Sequence, residues 1–300
     1  MGRRVVWILL LVSVVVAGLG VWLAFQIRGQ GTRQPSRPAA GVAGVQRPRP
    51  QQPRAREQQA RDALFAELQP VKLANCELAR FGEKHDGGYL TCRNLLADVK
   101  SAYSYGISGY DGWGCQVSTE LKVPVHQYDC FNTNAPLCPT GKPVFHPECI
   151  AGSRFTDSDG RLFDSMASQF AKNGDAGKHV IVKMDVEGAE WDSILKTPDA
   201  VLEKIDQMIF ELHGVETANI ARIFEVVLKL KKHFHVAHLH INNHSCASEF
   251  PPFPGWAYEV TFVSKRLAKP DPQGTVTLPH PLDTPNNPLA PDCPVRSPAR

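Results

Sequence analysis

The eight cysteines include no C-x-x-C pair and no zinc-finger spacing, so a structural zinc module has no ligand set to build on. No clean G-x-G-x-x-G turn and no P-loop lysine motif occurs anywhere in the 300 residues, which leaves both nucleotide motifs absent in their standard form. Net positive charge is confined to the first sixty positions. Arg3 and Arg4 contribute +2, and seven arginines against Glu57 give residues 28–60 a charge of +6, so a formal net charge of +3 leaves about −5 for the rest. A mildly acidic globular part cannot neutralise a phosphate backbone, which removes nucleic acids from the expected partners. Small molecules, glycans and proteins remain.

What is present suffices for one α/β domain plus attachments: 43% of residues are hydrophobic and 21% charged. After a short flank at 1–4, residues 5–27 carry no charged side chain. As a helix they would rise roughly 34 Å, enough to cross a hydrocarbon core of about 30 Å. The expectation is a transmembrane signal anchor, with a cleaved signal peptide and a secreted product as the alternative. Arginines flank the run on both sides, so the positive-inside count does not orient it. An even cysteine count after an N-terminal membrane signal favours an oxidising compartment, although buried free thiols would look the same. The expected arrangement is therefore a single-pass type II protein with a lumenal or extracellular domain, in the Golgi or endoplasmic reticulum. Residues 28–60, rich in Arg, Gln, Pro and Gly, read as a disordered basic stem. Residues 269–300 contain nine prolines and read as an extended tail over the domain, which Cys293 could pin.

Between stem and tail, residues 61–268 alternate apolar runs with helical patterns, the period of βαβ units. Strands are expected over 101–106, 125–128, 144–150, 179–184, 207–211, 234–241 and 258–263. Helices are expected over 61–68, 115–121, 162–172, 191–196 and 219–233, the last with Ile220, Ile223, Phe224, Val227 and Leu228 on one face. A Pro-rich connection before the final strand suits an antiparallel closing pair. The fold class is thus α/β, with a seven-stranded, mostly parallel sheet and an antiparallel last strand.

The first strand runs into Tyr105, Gly106, Ser108 and Gly109, a turn whose glycines let a ligand approach the backbone ahead of a helix N-terminus. Asp129 ends the next strand, where a carboxylate can accept hydrogen bonds from a nucleoside ribose. The fourth strand ends in Asp185, Glu187 and Glu190 around Gly188, at the carboxyl edge where open α/β sheets bind ligands. Glu190 also fits a helix N-terminus decorated with acids. Glu211 and His213 share a strand face at spacing two. The histidines at 233, 235, 238, 240 and 244 invite a metal reading, but strand spacing alone gives only His238 and His240 a common face, and no metal ligand is assigned.

These residues resemble the FkbM-like branch of class I S-adenosylmethionine-dependent methyltransferases, particularly its membrane-anchored members. The likeness rests on Arg80-Phe-Gly, Asp86-Gly-Gly-Tyr89, Tyr105-Gly106-Ile107, Lys183-Met-Asp-Val-Glu-Gly-Ala-Glu190, Glu211-Leu-His213 and His240-Ile-Asn-Asn243. It implies a Rossmann-like domain with S-adenosylmethionine as cofactor. The turn at Tyr105, Gly106, Ser108 and Gly109 would hold its methionine end, Asp129 its ribose, and Asp185 the edge of the reaction pocket. Methyl transfer needs alignment of the acceptor and, for a hydroxyl, removal of its proton. His213 is the first choice of base because an unperturbed imidazole titrates near neutrality, with Asp185, Glu211 and Glu187 as its alternatives or orienters. Whether a divalent cation joins Asp185, Glu187 and Glu211 stays open. The rival readings are a lumenal glycosyltransferase using Asp157-Ser-Asp159, and a silent binding protein on the same sheet.

Overall fold

The computed structural model describes residues 53–215 and 220–294. The expected flank, the anchor at 5–27, the stem as far as residue 52 and position 219 of the expected last helix lie outside the described residues. Among the described residues no helix is long and apolar enough to cross a membrane.

The chain begins with α1 (Pro53–Glu67), then a hairpin of β1 (Leu78–Gly82) and β2 (Gly88–Cys92). β3 (Ser101–Tyr105), α2 (Gly112–Leu121), β4 (Val125–Tyr128) and β5 (Val144–His146) follow. A small sheet comes next, of β6 (Glu148–Ile150), β7 (Phe155–Thr156) and β8 (Leu162–Asp164), and then α3 (Met166–Lys172). The second half runs β9 (Val180–Met184), α4 (Glu190–Lys196), α5 (Asp199–Leu202), β10 (Ile205–His213), α6 (Ile220–His233), β11 (Phe234–Ile241) and β12 (Ala257–Ser264).

Seven strands form one sheet in the order β11-β12-β10-β9-β3-β4-β5. β12 runs antiparallel to both neighbours and every other pairing is parallel. The expected mostly parallel sheet with an antiparallel last strand is what forms. β3 is the switch point, because the chain moves outward through β4 on one side and through β9 on the other.

Strand alternation divides the core. Tyr103, Tyr105, Val180, Val182, Met208 and Phe210 face the layer of α1, α3, α4 and α6, whereas Ala102, Ile181 and Ile209 face α2 and the hairpin. α6 buries Ile220, Ile223, Val226, Val227 and Leu230. Leu228, expected on that face, is exposed, because the buried stripe advances by three and four residues to Val226 and Leu230 instead.

Several elements differ from expectation. α1 starts at Pro53, inside the expected stem, because Leu64, Phe65 and Leu68 bury against the sheet layer and proline is tolerated in a first turn. The single strand expected over 144–150 is two, divided at Pro147, which has no N–H to continue a ladder. The helix expected over 162–172 begins only at Met166: Ser165 caps it by accepting from the Ser168 N–H, and residues 162–164 pair as β8. The Arg80–Tyr89 stretch, for which no strand was expected, lies in the β1–β2 hairpin.

All eight cysteines are paired, as Cys76–Cys92, Cys115–Cys138, Cys130–Cys149 and Cys246–Cys293. Residues of the tail lie over the hairpin-side face of β11 and β12. Asp283 is 2.8 Å from His238 Nε2, and Asn243 Nδ2 donates to the carbonyls of Asn287 and Ala290.

Candidate functional site

At the switch point the loops after β3 and β9 part and leave a cavity of about 300 Å³. Gly106, Ser108 and Asp129 form one wall, Asp185 and Glu187 another, and Tyr128, Phe131 and Phe163 an aromatic end. The two loops touch at one point. Gly106 has φ +71°, and a Cβ there would lie 1.6 Å from the Asp185 carbonyl oxygen, so only glycine lets them pass. Ser108 (φ +45°) and Glu187 (φ +53°) also adopt left-handed backbone, a cost that non-glycine residues bear mostly where function constrains the chain.

Lys183, on β9, braces this junction from below. Its Nζ donates to the Gly106 carbonyl at 2.9 Å, sits 3.5 Å from Asp185 Oδ2 and lies 5.6 Å from the centre of the Tyr89 ring. Asp129 holds the other side. Its Oδ2 accepts from the N–H groups of Ile107 (3.1 Å) and Ser108 (2.7 Å), and its Oδ1 from those of Phe131 (2.8 Å) and Asn132 (3.0 Å). One carboxylate therefore ties the glycine turn to the loop after β4 and has all four of its acceptor positions in use.

Toward β10 the cavity adjoins a group of ionisable side chains. His213 Nε2 is 3.5 Å from Glu187 Oε2 and 3.7 Å from Glu211 Oε1, and its Nδ1 is 3.6 Å from Glu190 Oε1. Glu190 is fully buried; its carboxylate accepts from the N–H groups of Gly188 and His213 and so couples the β9 loop to the end of β10. Burial opposes the charge on His213, but the Glu190 carboxylate first, and then Glu211 and Glu187, outweigh it and raise the imidazole to about 9. Burial also pushes the Glu211 carboxyl up, with the nearby Asp185 and Glu259 charges adding to the effect, to about 8. The expected base thus sits among three carboxylates that are dispersed in the sequence, converge on it and favour its protonated form.

Of the expected cofactor residues, Gly106, Ser108, Asp129 and Asp185 share the cavity, together with Glu187. Tyr105 does not join them. Its side chain is buried in the core and stacks at 5.1 Å on Tyr128, which itself lines the cavity. Gly109 packs against Asn132, whose Nδ2 donates to the Ser108 carbonyl. Glu211 and His213 stand behind Glu187. Phe131 and Phe163 were not singled out in the sequence, where Phe163 lay in a stretch expected to be helical, and Lys183 began a motif there without being given a role. Glu190 was already explained there as an acidic helix start. Asp157 and Asp159 lie in the turn between β7 and β8, both paired with Arg161 (2.7 and 2.6 Å), and neither lines the cavity. His238 and His240 pair with Asp283 and Glu259. Among the described residues the groupings with metal-ligand spacing are Asp185, Glu187 and His213, and Asp86, Glu211 and Glu259.

No family model and no curated protein matches the chain. Among solved structures it is similar to the methyltransferase FkbM from Methylobacillus flagellatus KT, at 13% identity and a TM-score of 0.33, over 55% of this chain and 44% of that one. The matched part spans less than half of that protein. A likeness of this size leaves the functional case resting on strand order and cavity geometry.

Proposed function

We propose that the chain is a class I S-adenosylmethionine-dependent methyltransferase acting on a hydroxyl of a small-molecule, glycan or protein acceptor in the secretory pathway. The observation that carries this reading is the cavity at the switch point, bounded by the glycine turn after β3 and the Asp185–Glu187 loop after β9. Open α/β sheets bind nucleoside cofactors at this place, and the order β5-β4-β3-β9-β10 corresponds to the first five strands of the doubly wound 3-2-1-4-5 arrangement.

In this reading Phe131 and Phe163 take the adenine, Gly106 and Ser108 present backbone to the methionine end, and Asp185 marks where the methyl group meets the acceptor. Asp129 shapes the turn through its four backbone hydrogen bonds, and a ribose contact would have to displace one of them. Transfer from a sulfonium is an in-line displacement, so the main work of the site is alignment and exclusion of water. The cofactor, when bound, supplies the methyl group. The acceptor side is the group formed by Glu187, Glu211 and His213, where carboxylates within reach can receive a hydroxyl proton. The four disulfides support an oxidising compartment and hence the secretory assignment.

The test is transfer of label from methyl-tritiated S-adenosylmethionine to panels of phenols, glycans and secreted proteins. Label in one class that is lost in Asp185→Ala supports the reading. Cofactor binding without transfer to any class would point to the silent binding protein.

A further inference from the structure

At the end of the sheet opposite β11, two histidines meet that the proposed methyl transfer does not use. β5 is the last strand there and pairs with β4 over three positions. His126 on β4 and His146 on β5 come together with His126 Nδ1 3.1 Å from His146 Nε2. His126 is only 8% exposed, and its Nε2 stands 3.5 Å from Oδ2 of Asp175, a buried residue just after α3. Asp175 also accepts from the Tyr103 hydroxyl at 2.8 Å and from Lys178 Nζ at 3.0 Å. The charged groups beside His146 are Glu148 and Lys172, and its ring stacks on Tyr128 at 4.5 Å.

The carboxylate sets the direction of these contacts. An acceptor opposite His126 Nε2 puts a proton on that nitrogen, so Nδ1 accepts and His146 Nε2 donates. One added proton, on His146 Nδ1, leaves the contact intact. A second fills the last lone pair, and two imidazolium rings then meet N–H to N–H in a partly buried place. Burial lowers both rings below the ordinary imidazole value; at His126 the neighbouring His146 and Lys178 add to this and Asp175 opposes it, while at His146 Glu148 opposes it and Lys172 adds. Once apart and hydrated, both rings titrate near about 6.5. The separated form therefore binds more protons, and acid favours it.

We propose that the His126–His146 contact is a pH-sensitive latch, which holds the edge strand β5 on the sheet at neutral pH and releases it in mild acid. What moves with β5 borders the cofactor cavity. Tyr128, under the His146 ring, lines it; the Asp129 N–H donates to the His146 carbonyl at 3.3 Å; and β5 runs through Pro147 into β6, where Cys149 and Ile150 line it. Acid should thus loosen the aromatic end of the cavity first. The Cys130–Cys149 bond keeps the released segment tethered, so the change is local and reversible. The latch stands whether or not the cavity holds S-adenosylmethionine.

The test is native-state hydrogen exchange of the full disulfide-bonded chain without ligand, read by mass spectrometry at about pH 7.5 and about pH 5.5 and corrected for intrinsic exchange rates. Release that takes up one net proton on a group titrating near about 6.5 is favoured about tenfold more at the lower pH. Protection at residues 144–146 should therefore fall about tenfold while residues 180–184 of β9 keep theirs. The fall should be absent in His146→Phe, whose ring retains the stack on Tyr128. If His146→Phe does not fold, His126→Gln decides. Unchanged protection in the wild type, an equal fall at 180–184, or the same fall in the variant overturns the proposal.

Discussion

Replacing Asp129 by alanine separates two roles that a carboxylate at the end of β4 can have. In the structure it accepts four backbone hydrogen bonds of 2.7–3.1 Å, two from the glycine turn and two from the loop after β4. A buried hydrogen bond to a charged group contributes about 1.5–3 kcal/mol. The Ile107 N–H is buried and loses that amount in full, while the other three N–H groups are part-buried and recover most of it from water. The expected destabilisation is about 3–5 kcal/mol, or roughly 6–20 °C in Tm for a domain of this size. Asp129→Asn, which retains one accepting oxygen, should lose about half as much. The assay is thermal unfolding followed by circular dichroism without ligand. An unchanged Tm in Asp129→Ala together with lost cofactor binding would refute the reasoning and make the carboxylate a free ribose acceptor.

Three further outcomes follow from the same geometry. Gly106→Ala should weaken S-adenosylmethionine binding by at least about tenfold, because left-handed backbone costs alanine roughly 1–2 kcal/mol and its Cβ must push the Asp185 loop away; calorimetry reads this directly. Cys293→Ser opens the loop closed by the Cys246–Cys293 bond, separated by 47 positions, and should cost about 4 kcal/mol by loop entropy, with proteolysis of residues 269–294 as a second readout. Burial works against the charge on Asp164, but Lys172, the Ser165 N–H and Ser168 hold its carboxyl below the ordinary value. The unfolded chain therefore binds the proton more readily. The stabilisation is present above pH 4 and lost as pH falls through the depressed folded value, so the Tm gap between wild type and Asp164→Asn should be open at pH 7 and should close in acid. A gap that widened in acid would contradict that sign.

Strands β3, β4 and β9 were legible from the sequence because short apolar runs bounded by turn residues have few alternatives inside an α/β pattern. β10 extends two residues further at each end than its apolar core, since Gln207, Glu211 and His213 face the covered side and break the run. The hairpin and the β6–β8 sheet were hidden: their strands are only two to five residues long, too short to show a period, and the Cys76–Cys92 and Cys130–Cys149 bonds tie them to their surroundings. In the site, position along a strand identified Gly106, Asp129 and Asp185. It did not show what each side chain meets. Tyr105 turned inward because alternation puts it on the core face, Asp129 is engaged by backbone groups of two loops, and His213 meets Glu187, Glu190 and Glu211 together.

The central claim is that the cavity between the β3 and β9 loops holds S-adenosylmethionine. Isothermal titration of the folded, disulfide-bonded chain with S-adenosylmethionine, S-adenosylhomocysteine and a set of nucleotide sugars tests it most directly. Saturable binding of the two sulfur nucleosides, weakened by Gly106→Ala and by Phe163→Ala, is the predicted result. Binding of nucleotide sugars alone, or of no ligand by protein that unfolds cooperatively, would contradict it.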